Sequence, residues 1–207
     1  MNEDGAAPRN EGYLDLRELI DRFDQMGELA RVDGADWNLE VGAISETVAA
    51  DKPGRSKALL FDQIQGYPKG FRIMSGAANA FKRLALVLGL PDPENEMDLV
   101  HSYRKRAKEE FELIPPTEVA DGPVLENIDR DEGVDLWKFP VPFVHEKDGG
   151  RYIGTDDLVI MRDPESGWTN VGTYRVMVHD KNTVAIWMSP GKHGKLISEK
   201  YFKDGKP

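Results

Sequence analysis

The chain of 207 residues is long enough for one large domain or two small ones, and its 40% hydrophobic and 31% charged residues are the balance of a folded protein rather than a disordered one. A formal net charge of −10 argues against a nucleic-acid backbone as the main partner, because such binding draws its affinity from neutralised phosphates; a local basic pocket for one small phosphate is still allowed. Cysteine is absent, which excludes disulfides, zinc–thiolate sites and a thiol nucleophile, and no apolar run nears the ~20 residues of a membrane span or forms a signal-peptide core, so a cytoplasmic location is expected.

Residues 1–12 are polar and read as a disordered lead-in. Leu16, Leu19, Ile20 and Phe23 then fall at i, i+3, i+4 and i+7, one face of a helix, with Asp15 as N-cap and Glu18 three residues on in the manner of a capping box. Gly27 stops that helix, and GELARVD leads through a turn into a short strand. A second helix is expected from near Asn38, with Val41, Ile44 and Val48 inward, until DKPG (51–54) breaks it. ALLFD (58–62) and FRIMSG (71–76) read as buried strands joined through the Gly66–Gly70 turn region. A helix over roughly 78–88 ends at Gly89, and a charged helix occupies about 95–111.

The paired prolines of LIPPTEVADGP (113–123) make the best domain boundary, which gives an α/β domain over 13–115 and a second domain over 116–207. In the second, three β-rich runs follow one another: RYIGTDDLVIMRD, TNVGTYRVMVHD and NTVAIWMSP. DPESG (163–167) and the Asp180–Asn182 turn connect them as hairpins, and a short helix is expected around 194–202. The closing KDGKP is loop chemistry of the kind that leads into another strand, so the expectation is a fragment, a processed piece or one subunit of a split protein.

The stretch richest in chemistry runs from Trp168 to Gly194. Strand alternation places Asn170, Gly172 and Tyr174 on one face and Val171, Thr173 and Arg175 on the other, unless a bulge intervenes. Gly172 permits close backbone approach to a ligand, whose phosphate oxygens neighbouring amides could take; an ordinary glycine bulge is the alternative. Arg175 offers a planar fork suited to a carboxylate or phosphate. Lys192 and His193 follow a glycine-bearing loop, SPGK, and together could serve a phosphate and its metal counter-ion, to which Asn170 could add a carbonyl oxygen. Two ligands do not make a metal site, so a carboxylate or phosphate must supply the rest. His101 on the charged helix and His179 at a turn read as surface residues, and His145, before a loop, is ambiguous.

The order of motifs resembles that of the UbiD-like decarboxylases over about 180 residues. DLRELIDRFDQMGELARVD, ALLFDQIQGYPKGFRIMSG and AFKRLALVLG carry the N-terminal likeness. DGPVLENI, DLWKFPVPFVHEKDGGRYIGTDDLVIMRDPESG and TNVGTYRVMVHDKNTVAIWMSPGKHG carry the central one. The resemblance implies an α+β fold: a small N-terminal α/β domain followed by the first part of an antiparallel split β-barrel of the flavin-reductase type. It implies reversible, non-oxidative decarboxylation of an aromatic, heteroaromatic or α,β-unsaturated carboxylic acid with prenylated FMN, which is supplied by a flavin prenyltransferase and acts as the electron sink for a poorly stabilised carbanion. A divalent metal, typically Mn²⁺, anchors the cofactor phosphate, with K⁺ as a further candidate ion. The positions matching Asn170 and His193 hold the metal, and those matching Asn170, Gly172, Thr173, Tyr174, Arg175, Lys192 and His193 line the cofactor. Arg175 matches the arginine of a Glu–Arg–Glu network that holds the substrate carboxylate, while both glutamates and the glutamate completing the metal site lie further downstream in the family. Lys192 stands where some members have glutamine and Gly172 where some have serine. The resemblance also implies a homo-oligomer for the complete protein, and no nucleic-acid or membrane partner. Two other readings are a carboxylase subunit of anaerobic aromatic metabolism and a non-catalytic cofactor-binding or structural subunit.

Overall fold

The computed structural model describes residues 15–51, 54–109 and 117–206. The lead-in over 1–12 and part of the proline boundary, 113–116, lie outside the described residues, as do Lys52 and Pro53 of the DKPG break. The chain divides into two units, and residues 37–42 belong with the second although they precede most of the first in sequence.

In the first unit, helix α1 (Leu16–Gln25) is amphipathic as its spacing predicts, and Leu19, Ile20 and Phe23 are its buried residues. Asp15 caps it by accepting the Glu18 amide at 3.0 Å. Gly27, at φ 71°, reverses the chain into β1 (Leu29–Asp33). Strand β2 (Ala58–Asp62) is buried over its first four residues, which explains its unbroken apolar sequence. It pairs parallel with β1 in a β–α–β arrangement through α2 (Glu40–Asp51), and antiparallel with β3 (Ile73–Ser75). The run 71–76 is therefore a strand only at its centre, and a half-buried one: it pairs with three residues of β2, and among the described residues no strand pairs with its other edge. Helices α3 (Phe81–Val87) and α4 (Glu96–Arg106) follow; α4 is capped by Asn95 and has no buried residue, as its charged sequence requires.

Arg83 of α3 is the organising polar group of this unit. Its side chain is fully enclosed. The guanidinium donates to the Glu28 carboxylate at 2.7 Å, to the carbonyls of Ser56 at 2.7 Å, Gly76 at 3.0 Å and Ala77 at 3.3 Å, and to Asn79 Oδ1. It also lies 5.8 Å from the centre of the Phe23 ring. An arginine so buried is tolerable only because its charge is paired and its donors are engaged.

The second unit is built on an antiparallel sheet in the order β4 (Arg151–Arg162), β5 (Thr169–Val178), β6 (Val184–Ile186). The two hairpin turns fall where the turn residues predict. Helix α5 (His193–Lys203) closes the described chain. Residues 37–42 are held to this unit by backbone bonds between Leu39 and Phe143 and between Phe143 and Trp37. Close by, the Arg151 guanidinium lies 3.7 Å from the Trp37 ring centre and 4.8 Å from that of Trp137. Gly42 is required there, because a Cβ would stand 2.3 Å from the Val144 carbonyl oxygen. The architecture is mixed α+β with two three-stranded sheets.

Candidate active site

One cavity of about 530 Å³ in the second unit brings the candidates together: Asn170, Gly172, Thr173, Tyr174, Arg175, Lys192 and His193 all line it. The convergence comes from β5, which contributes the first five, and from the loop that returns to the start of α5, which contributes the last two. Along β5 the alternation is as expected: Asn170 and Val176 are buried, Gly172 and Tyr174 half-buried, and Val171, Thr173 and Arg175 exposed.

Gly172 also answers to a neighbour within the sheet. The space its side chain would fill is taken by Tyr174, whose Cε2 would lie 2.6 Å from a Cβ at 172. The same tyrosine reaches α5, where its hydroxyl would lie 2.3 Å from a Cβ at Gly194. Both glycines thus make room for the Tyr174 ring, which spans from the strand to the helix start.

Lys192 is the N-cap of α5 and gives no side-chain cap, so the amides of the first turn are left for another acceptor. His193 is the first helical residue, and its ring meets Trp168 edge-on with centroids 5.0 Å apart and planes at 88°. The far end of α5 is fixed to the β4–β5 turn. Lys200 pairs with Asp163 at 2.7 Å and Glu165 at 2.8 Å, and the Tyr201 hydroxyl donates to the Arg162 carbonyl at 2.9 Å. The Lys200 ammonium, with the amides of Ser166 and Glu165, holds the Asp163 carboxyl well below the usual carboxylate range. The tether is therefore fully formed above the ordinary value near 3.8 and is lost only as pH falls through the lower folded value.

Thr155 and Asp156 line the cavity from β4, outside the stretch expected to carry chemistry, and Trp168 flanks it. Thr155 and Asp156 enter through a departure from regular pairing that their sequence does not signal. Trp168 could have been suspected as an aromatic two residues before Asn170. His145 and His179 are exposed, and His145 interacts with Asp148 at 3.3 Å outside the cavity.

For a hard cation, Asn170 and His193 supply two donors, while among the described residues no group of three His, Asp or Glu side chains surrounds a metal position. For a phosphate the fit is fuller: an uncapped helix start, Lys192 and Arg175 share one cavity.

Known proteins match the chain over most of its length. Residues 20–102 match the 3-octaprenyl-4-hydroxybenzoate carboxy-lyase N-terminal domain, and residues 117–207 match the Rift-related domain of the same carboxy-lyase. The chain belongs to the UbiD family. It is 37% identical over 206 residues to a pyrrole-2-carboxylic acid decarboxylase of Pseudomonas aeruginosa, covering 96% of this chain and 40% of that protein. A phenolic acid decarboxylase of Sedimentibacter hydroxybenzoicus is 31% identical over 182 residues, covering 84% and 36%. Among solved structures, the vanillic acid decarboxylase of the same organism in its closed form superposes with a TM-score of 0.83 at 29% identity, over 95% of this chain and 42% of that one. The UbiD-class enzyme HmfF of Pelotomaculum thermopropionicum, in complex with FMN, gives a TM-score of 0.76 at 29% identity, over 93% and 40%. The chain thus spans about 40% of the length of these relatives. Among the described residues no helix is long and apolar enough to cross a membrane.

Proposed function

We propose that this chain forms one wall of the active site of a prenylated-FMN-dependent decarboxylase acting on an aromatic, heteroaromatic or α,β-unsaturated carboxylic acid. The observation that carries the reading is the convergence of Asn170, Arg175 and His193 on one cavity. Its support from relatives is that those named above decarboxylate pyrrole-2-carboxylic, phenolic and vanillic acids, and that a structural neighbour holds FMN.

In this reading the flavin, when bound, accepts the electron pair left behind as CO₂ departs. The chain's residues do the rest of what is assigned here. Arg175 binds and orients the substrate carboxylate through its fork. Lys192 and the free amides at the start of α5 bind the cofactor phosphate. Asn170 Oδ1 and a ring nitrogen of His193 would hold a divalent ion such as Mn²⁺ against that phosphate, with the other ligands coming from the phosphate, water or acids beyond this wall. Trp168 limits rotation of the His193 ring. The K⁺ ion, the homo-oligomer, the prenyltransferase that makes the cofactor and the cytoplasmic location belong to the same proposal.

The test is turnover by the full-length, flavin-loaded protein. Arg175→Ala is expected to abolish decarboxylation while flavin absorbance and thermal unfolding stay near wild type; unimpaired turnover would refute the role. His193→Ala is expected to lower metal and flavin content after purification, read by elemental analysis and absorbance, and unchanged content would refute the metal assignment.

A further inference from the structure

The pairing of β4 with β5 slips twice in four residues. Tyr152 faces Met177, Gly154 faces Val176, and Asp157 faces Tyr174. Between the last two pairs β4 has two residues, Thr155 and Asp156, where β5 has one, Arg175. That is a bulge centred on Arg175, and bulges of this kind redirect side chains beside functional sites. Thr155, Asp156 and Arg175 all line the cavity. Neither Asp156 nor Arg175 forms an ion pair among the described residues, so both present unspent charge to whatever enters.

We infer that Asp156 is a specificity-determining residue: it accepts a hydrogen bond from an N–H or O–H on the atom next to the substrate's carboxyl-bearing carbon, while Arg175 holds the carboxylate. The inference rests on the assignment of Arg175 given under Proposed function. A carboxylate accepts and never donates, and a guanidinium donates and never accepts. Set on either side of one bulge, the two are complementary to a carboxylate with a donor beside it, as in a pyrrole-2-carboxylate or an ortho-hydroxy acid.

The next residue is not part of the cavity wall. Asp157 points to the other face, its Oδ2 is buried with no hydrogen-bond partner, and a Cβ at Gly154 would lie 2.2 Å from its Oδ1. Gly154 is therefore what lets that carboxyl fold under the strand. Burial, and then the neighbouring Asp156, push the Asp157 carboxyl up. A substrate lacking the donor would desolvate Asp156 with no partner, and this is the stronger form of discrimination.

The experiment titrates pyrrole-2-carboxylate and furan-2-carboxylate, which differ by N–H against O at the atom in question, into the full chain and its variants, with affinities read from two-dimensional NMR. The wild-type chain is expected to bind the pyrrole acid about 10- to 100-fold more tightly, the range for a hydrogen bond to a charged group. Asp156→Ala is expected to bring the two acids within about twofold, and Asp156→Asn, which keeps an acceptor without charge, to fall between. Equal binding by the wild type, or an unchanged ratio in Asp156→Ala, overturns the inference. Arg175→Ala separates the two assignments. Loss of both acids together supports the carboxylate role, whereas full affinity for both overturns that role and leaves the pyrrole-to-furan ratio to judge Asp156. The backbone spectrum of each variant reports folding directly.

Discussion

The two units treat charge in opposite ways. In the first, Arg83 is enclosed and meets five hydrogen-bonding partners within its own unit, plus the face of Phe23. In the second, Arg175, Asp156 and Lys192 face a cavity, and Asp157 keeps an oxygen buried without a partner. The difference separates a group that organises a fold from groups held ready for something else. A satisfied buried cation fixes its surroundings, whereas exposed charges around a cavity stay hydrated until a ligand displaces the water.

The sharpest way to break the contrast is at Arg83. Arg83→Met is expected to destabilise the chain by about 3–5 kcal/mol, the range for removing one partner of a buried, hydrogen-bonded charge, measured by urea unfolding. A loss no larger than that of a surface substitution would undo the distinction. Next in size is Gly194→Ala, which drives a methyl group into the Tyr174 hydroxyl and is expected to cost about 1–3 kcal/mol. Combining it with Tyr174→Phe should recover part of that loss, and strict additivity would show that the contact does not matter.

Asp157→Asn has the opposite sign. The raised carboxyl makes the ionised form the unfavourable one in the folded protein. Its cost is present above the folded pKa and vanishes below the unfolded value near 3.8. The variant is expected to be more stable than wild type at pH 7 by about 1 kcal/mol or less, after solvent screening, with the advantage gone near pH 3. Melting curves across that range check it. The smallest effect is expected at Ile160, 70% exposed on β4, where Ile160→Thr should shift stability by less than about 0.5 kcal/mol.

How far the sequence could be read follows the same division. Helix α1 was legible because Leu19, Ile20 and Phe23 repeat at helical spacing and Asp15 announces the start. The buried β2 was legible from its unbroken apolar run, and both hairpins of the second sheet from their turn residues. The convergence of Asn170, Arg175 and His193 was legible through motif order, since strand and loop spacing alone leave each of them ordinary. Register was not legible. No local property of Ile153, Thr155 or Asp156 says that β4 slips against β5, because a bulge is settled by the partner strand. Nor could a short segment reveal that residues 37–42 join the second unit, as that follows from backbone bonds to Phe143, over a hundred residues away. The Tyr174 ring over Gly172 and Gly194 escaped for the same reason, being a contact made only after the helix returns.

Helix α5 and the β4–β5 turn form a closed circuit. One end of the helix sets His193 under Trp168, and the other is locked to Asp163 and Arg162, a few residues before Asn170. The two proposed metal donors are thus gauged from the same short stretch of backbone. Lengthening the 180–183 connection would leave that gauge untouched, whereas a single residue inserted at 164–166 would reset it. The 180–183 tip has ties of its own, since the Lys181 carbonyl accepts the Leu136 amide at 2.7 Å, but none of them reaches the proposed metal donors.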